Sequence, residues 1–346
     1  MEDSSVHTHV TRIFACLSLS AAIAFGMLIA PPVASAATDQ TVALSSIPYG
    51  GSNSFNGLLR DGTGAPAVAV VLLHGRGSTS DGPVVHELRI SLNDAGYTTF
   101  SLDEPVPAAG TAFSDYISDV NNANYVFPET YARVRAAIDW LHTNRSSVKS
   151  IVVLGFSMGS RMTSAFMAYG GLPTGVMVPV VGYVGIGMYA TSGVDPLDIG
   201  ITLPKWTATP PVLDLYGSAD TNAVDTAQVR RSSYMGASAD YTQFSLPCAS
   251  TLSTNECHQL VGLKGSDTMP LETNVAAWMA CHAPLSGGPV CQPLPLSAAG
   301  STSGNSTSSG GGGGGAVGPT WLLLGLVLFN RRRSCTARQA LAPRSR

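Results

Sequence analysis

The chain has 346 residues, room for one large domain or two small ones, with 19 basic and 22 acidic side chains and a formal net charge of −3. Between residues 37 and 297 the balance is 12 basic against 20 acidic side chains, near −8, with no run of basic residues. That acidic body excludes nucleic acid as an expected partner.

In chain order, the first segment reads as an export signal. Residues 13–30 form an apolar run preceded by Arg12, and Ala34-Ser35-Ala36 offers a small-x-small cleavage site before Ala37. Residues 1–36 are therefore expected to be removed, leaving 37–297 as one domain with a single large core. Residues 40–60 read as a lead-in strand and a turn around Gly50-Gly51-Ser52-Asn53. Residues 67–73 are continuously apolar, as in a parallel strand buried on both faces, and end in His74-Gly75-Arg76-Gly77-Ser78. Val84, Val85, Leu88, Leu92 and Ala95 recur at helical spacing up to Gly96.

A second strand over residues 97–102 leads into an irregular Pro/Asp/Asn-rich excursion, 103–127. Pro128 then opens a helix with Tyr131, Val134, Ile138 and Leu141 on one face. Ile151-Val152-Val153-Leu154 is a buried strand, Gly155-Phe156-Ser157-Met158-Gly159 follows it, and 161–167 continues as a helix. Further strands are expected over 176–184, 212–216 and 241–246, with an irregular stretch up to Pro211, a polar helix around 227–234 and a last helix over 273–280. Alternating strands and helices, with most strands uniformly apolar, predict a doubly wound, mostly parallel sheet with helices on both faces.

The pentapeptide around Ser157 has the spacing of a nucleophile elbow. A serine at a tight strand-to-helix turn exposes its hydroxyl, small residues two before and two after allow backbones to approach, and the helix N-terminus favours negative charge. Such a hydroxyl needs a base and a group to orient that base, and in this arrangement both follow the serine in the chain. His7, His9, His74, His86 and His142 all precede Ser157, leaving His258 in an expected loop as the base, with His282 at a helix end as the alternative. The acid should lie just past a strand. Asp220 fits, and Asp195 is the alternative, whereas Asp214 falls inside a strand and Asp225 reads as a helix N-cap. The Met158 N–H and an N–H from the loop after residues 67–73, that of Arg76, are the expected oxyanion donors. His74 reads as structural, closing that loop. Gly182 to Gly187 is glycine-rich but lacks the strand–helix context of a dinucleotide site, and neither a metal cluster nor a phosphate loop is evident, so no cofactor or metal is expected.

Cys248, Cys257, Cys281 and Cys291 are the cysteines of the body. Their even number in an exported chain predicts two disulfides, and four cysteines allow three pairings. A Cys248–Cys257 bridge would restrain the polar loop that carries His258.

Beyond the body, residues 298–315 are a Ser/Gly-rich linker ending in six glycines, Gly310 to Gly315. Residues 316–346 hold a short apolar patch, Trp321 to Phe329, and Arg331-Arg332-Arg333, too short for a comfortable membrane span. This ending resembles the bacterial GlyGly-CTERM sorting signals, which implies processing by a rhombosortase-like protease; a plain tail anchor is the alternative.

The body resembles the α/β-hydrolases over nearly its whole length, and more narrowly an uncharacterised bacterial family catalogued as domain of unknown function 3530. The likeness lies in Val71-Leu72-Leu73-His74-Gly75-Arg76-Gly77 with Pro83 and Leu88, in Gly96-Tyr97-Thr98-Thr99-Phe100-Ser101-Leu102, through Pro128 to Leu141, and in Pro211-Val212-Leu213-Asp214-Leu215-Tyr216-Gly217-Ser218-Ala219-Asp220. The segment around Cys248 and Cys257 departs from the compact loop of that pattern. The resemblance implies a hydrolase fold and no particular substrate. Together these features predict an exported serine hydrolase, periplasmic, surface-bound or secreted, acting on a small-molecule ester. An amidase or peptidase on the same residues, or a non-catalytic surface binding module on the same fold, are the alternatives. The export machinery and the processing protease are the expected partners, with membrane contact only through the C-terminal segment.

Overall fold

A computed structural model describes residues 37–46, 53–121, 126–170, 178–236, 240–265, 270–285 and 291. The expected export signal, linker and sorting segment lie outside the described residues. In chain order the elements are β1 (Gln40–Ser46), β2 (Asn53–Arg60), β3 (Val68–Leu73), α1 (Pro83–Asp94), β4 (Thr98–Leu102), α2 (Phe113–Asn121), α3 (Val126–Asn144), β5 (Ser150–Phe156) and α4 (Met158–Ala165). They continue as β6 (Val180–Ile186), α5 (Ile199–Thr202), β7 (Val212–Gly217), α6 (Thr221–Asp225), α7 (Ala227–Ser233), β8 (Tyr241–Leu246), α8 (Thr254–His258) and α9 (Pro270–His282).

The strands make one sheet in the order β1-β2-β4-β3-β5-β6-β7-β8. β2 is antiparallel to both of its neighbours, and every pairing from β4 through β8 is parallel. Why the central strands lack any polar alternation is visible in β3. Val68, Val70 and Leu72 enter a core beneath α1 and α9, while Ala69, Val71 and Leu73 enter the opposite core beneath α3 and α4. A strand covered by helices on both faces must be apolar at every position. This strand order, with crossover helices on both faces, is that of the α/β-hydrolase fold.

Three departures from the sequence pattern have local causes. Residues 40–60 hold two antiparallel strands, β1 and β2, because apolar residues alternate in each: Val42 and Leu44 in one, Phe55 and Leu59 in the other are buried. The excursion after β4 contains α2, whose Phe113, Tyr116, Ile117 and Val120 recur at helical spacing and face the core; the Pro-, Asp- and Asn-rich residues around them masked that stripe. β6 runs on to Ile186, where it is held between Phe156 of β5 and Leu215 of β7.

Asp214, in the middle of β7, is wholly buried. Its carboxylate accepts hydrogen bonds from Arg230 Nε (2.9 Å), Tyr241 Oη (2.9 Å) and Gln243 Nε2 (2.6 Å). The buried Arg230 on α7 also donates to Ala223 O and Thr226 Oγ1 (both 2.8 Å), so the pair ties α6 and α7 to the sheet. Removing one member strands the other charge. Arg230→Met is expected to cost about 3–5 kcal/mol in chemical unfolding, and Asp214→Asn with Arg230→Met to recover part of that loss.

Candidate active site

The geometry begins with two glycines. A Cβ on Gly155 would lie 2.4 Å from Gly159 O, and a Cβ on Gly159 would lie 2.4 Å from Leu73 O and 2.5 Å from His74 O. Only bare Cα atoms let the first turn of α4 press onto the ends of β5 and β3. Ser157, between them, is forced to φ 54° and ψ −112°, a region that side chains disfavour, and it is held there as its N–H donates to Ile186 O at 2.8 Å. The hydroxyl consequently stands out from the turn instead of lying along the helix.

His258 closes α8, whose start is fixed by a capping box: Ser253 Oγ accepts from the Glu256 N–H, and the Glu256 carboxylate accepts from the Ser253 N–H. The residue expected in a loop thus ends a short helix. Its Nε2 lies 2.8 Å from Ser157 Oγ, and its Nδ1 lies 2.7 Å from Asp220 Oδ2. The ring is flanked by Phe156 at 5.3 Å and Tyr189 at 5.0 Å between centroids. Asp220 follows β7, is fully buried and caps α6, its Oδ1 accepting from the Ala223 N–H at 3.4 Å. The N-cap position expected of Asp225, at the helix over 227–234, is instead held by Thr226 at the start of α7, while Asp225 ends the separate short helix α6. With an ionised Asp220 as acceptor, Nδ1 carries the proton and Nε2 is free to accept the hydroxyl proton of Ser157.

Tyr189, three residues past the end of β6, also belongs to this group. Its Oη lies 2.6 Å from His258 Nδ1 and 3.2 and 3.4 Å from the two Asp220 oxygens. Burial pushes its pKa well above that of a free phenol, so the phenol stays protonated and donates to Asp220. No motif marks a tyrosine there. The available signal is its place just beyond the carboxyl end of a parallel strand, where open α/β sheets bind ligands.

Arg76, Ser157, Phe156, His258, Asn255 and Gln259 are among the residues lining a cavity of about 110 Å³. Neither the Arg76 N–H nor that of Met158 has an acceptor among the described residues, and Met158, as the first residue of α4, has no intrahelical one. His74 pins the Arg76 loop: its Nδ1 donates to Gly75 O (2.8 Å) and its Nε2 accepts the Glu104 N–H (3.1 Å). Burial lowers its pKa, consistent with a neutral ring in that double role.

The two alternatives stand elsewhere. Asp195 is 42% exposed, pairs with Lys205 and accepts from Tyr169 Oη at 2.7 Å. His282 packs its ring on Trp278, 4.7 Å between centroids, at the end of α9.

Cysteine pairing joins Cys248 to Cys257 and Cys281 to Cys291. The first bridge lies against the turn that carries Asp220: the Ala219 N–H donates to Cys257 Sγ at 3.1 Å, the Cys248 N–H donates to Ser218 Oγ at 2.9 Å, and a Cβ on Gly217 would come within 2.4 Å of Cys257 Sγ. It therefore sets His258 and Asp220 relative to each other.

Two outcomes follow. Replacing Cys248 and Cys257 together by serine should lower the reactivity of Ser157 toward a fluorophosphonate by about tenfold or more, since a proton acceptor displaced by an ångström can lose about a hundredfold in rate; near-ultraviolet circular dichroism should show the fold retained. Tyr189→Phe keeps the ring packing and removes one hydrogen bond to a charged group. It should reduce kcat by roughly tenfold with little change in KM, read by steady-state kinetics.

No family model matches the chain, and no curated protein matches it in sequence. Among solved structures, it is similar to a dienelactone hydrolase from Anabaena variabilis ATCC 29413 (19% identity, 70% of this chain and 97% of that one, TM-score 0.46). It is also similar to the Pyrococcus furiosus esterase Pf2001 (14%, 70% and 92%, TM-score 0.47) and to the esterase domain of a Rhodothermus marinus protein (13%, 70% and 98%, TM-score 0.44). Likenesses at this level of identity concern the course of the chain and not its chemistry.

Proposed function

We propose that this protein is an exported serine hydrolase that cleaves small carboxylic esters through an acyl-enzyme. The observation that carries this reading is the continuous relay from Ser157 Oγ to His258 Nε2 and from His258 Nδ1 to Asp220, at 2.8 and 2.7 Å, with the serine in a strained turn. In the first step His258 takes the hydroxyl proton as Ser157 Oγ attacks the ester carbonyl carbon. The carbonyl oxygen becomes an oxyanion that receives the Met158 and Arg76 N–H groups, while Asp220 stabilises the imidazolium. His258 then gives the proton to the departing alkoxide, leaving Ser157 acylated and the alcohol free. A water activated by the same imidazole reverses these proton movements and releases the carboxylic acid. The small cavity beside Ser157, about 110 Å³, favours a short group on that side of the scissile bond. Two disulfides support an oxidising compartment as the place of action.

The test uses a fluorophosphonate probe, which reacts with an activated serine hydroxyl beside oxyanion donors. Wild type should be labelled at Ser157 and should hydrolyse p-nitrophenyl acetate. Ser157→Ala should lose both, with turnover falling by several orders of magnitude, as when a nucleophile is removed from such a group. A folded wild type that is not labelled, or labelling that survives the substitution, overturns the reading.

A further inference from the structure

Arg89, Arg161 and Arg230 are the buried arginines among the described residues. Arg89 pairs with Asp39 and Asp81, and Arg230 pairs with Asp214. Arg161 has no carboxylate at ion-pair distance among the described residues. Its Nη1 donates to Leu197 O, its one hydrogen bond among them. Asp198 exerts a distant attraction on it, but that carboxylate is occupied by the Gly193 N–H (2.7 Å) and the Gly200 N–H (2.8 Å). Arg76, a second cation, adds repulsion. Burial accordingly holds the pKa of Arg161 down to about 10, whereas that of Arg230, beside Asp214, is raised. A guanidinium withdrawn from water needs a compensating partner, and within the fold this one has only part of what it needs.

Its position suggests where the missing partner comes from. Arg161 sits one helical turn after Ser157 on α4. Its guanidinium carbon lies 5.0 Å from the centroid of Phe113 on α2 and 5.3 Å from that of Tyr189 after β6. Those two aromatic residues belong to the crossovers that follow β4 and β6, at the end of the sheet where Ser157 emerges. Tyr189 in turn touches His258, so the unpaired charge is one aromatic ring away from the imidazole. The faces of Phe113 and Tyr189 steady the cation without neutralising it, leaving the in-plane N–H groups not taken by Leu197 O, which suit a carboxylate.

We propose that Arg161 receives a carboxylate carried by the substrate, so that the esters cleaved are monoesters of dicarboxylic acids, held by the free carboxylate while Ser157 attacks the ester carbonyl. This rests on the hydrolase reading above and narrows it to a substrate class. The charge serves binding and takes no part in bond making.

The experiment compares p-nitrophenyl hydrogen adipate and hydrogen suberate with their methyl-capped forms, which share leaving group and chain but carry no charge, each corrected for spontaneous hydrolysis. Wild type should prefer the anionic member of each pair by tenfold or more in kcat/KM, chiefly through KM, and the preference should shrink as salt is raised. Arg161→Met should lose that preference by slowing the anionic esters alone, and Arg161→Lys should keep part of it. Equal loss on charged and capped esters would mean that Arg161 merely braces the segment around Leu197, and would overturn the proposal. So would a wild type without preference, a result that leaves the hydrolase reading intact if Ser157 is still labelled by fluorophosphonate. Calorimetry of free adipate needs no turnover: wild type should bind it, and absence of binding overturns the carboxylate site whatever the outcome of the kinetics. Should Arg161→Met fail to fold, the wild-type ratios and the lysine variant decide the matter.

Discussion

Much of the site depends on one close approach of backbone to backbone. The first turn of α4 lies so near the carbonyls of Leu73 and His74 that no Cβ fits at Gly159, and the same crowding excludes one at Gly155. From that contact come the strained Ser157 backbone, the exposure of its hydroxyl and the juxtaposition of the Arg76 loop with that hydroxyl. Strain of this kind persists only where surrounding structure over-determines it. Here β5 is locked between two parallel neighbours, with its helix pressed against the sheet. The serine is presented by the sheet itself, and not by a loop that could relax.

The other two members of the relay are delivered by less rigid elements. Asp220 lies in the turn after β7, and His258 ends a five-residue helix that could not persist alone. Covalent and polar restraints take the place of length. The capping box starts α8, the Cys248–Cys257 bridge fastens it to the Gly217–Ala219 turn, and Phe156 and Tyr189 flank the imidazole. His258 and Asp220 are thus referred to each other first, and to Ser157 through the end of β5.

How much of this was legible in the sequence depended on whether the physics is periodic or positional. The doubly wound sheet was readable because strands buried on both faces are apolar at every residue. Ser157 could be picked out by glycine spacing, His258 by its place after the serine, and Asp220 by its place past a strand. Tyr189 left no such trace, since a tyrosine after a glycine-rich strand is compatible with many roles. Arg161 was hidden for a related reason: a charge on a helix ordinarily reads as solvent-facing, and only three-dimensional packing reveals that this one is buried. The Ser253-Thr254-Asn255-Glu256 capping signature was present in the sequence, but the surrounding polar residues read as loop. α2 did carry a periodic signal, Phe113, Tyr116, Ile117 and Val120 at helical spacing, but the Pro-, Asp- and Asn-rich surroundings read as an irregular excursion.

The second bridge, Cys281–Cys291, has a mechanical consequence. It ties the last described residue to the final turn of α9, a helix whose Leu271, Val275, Trp278 and Met279 are sunk in the core. Tension applied to the chain beyond Cys291 enters through that covalent bond and is passed along α9, bypassing the intervening peptide. A pull from the C-terminal side therefore meets the fold at Cys281, two residues after the buried Met279, instead of arriving through the peptide that follows the helix.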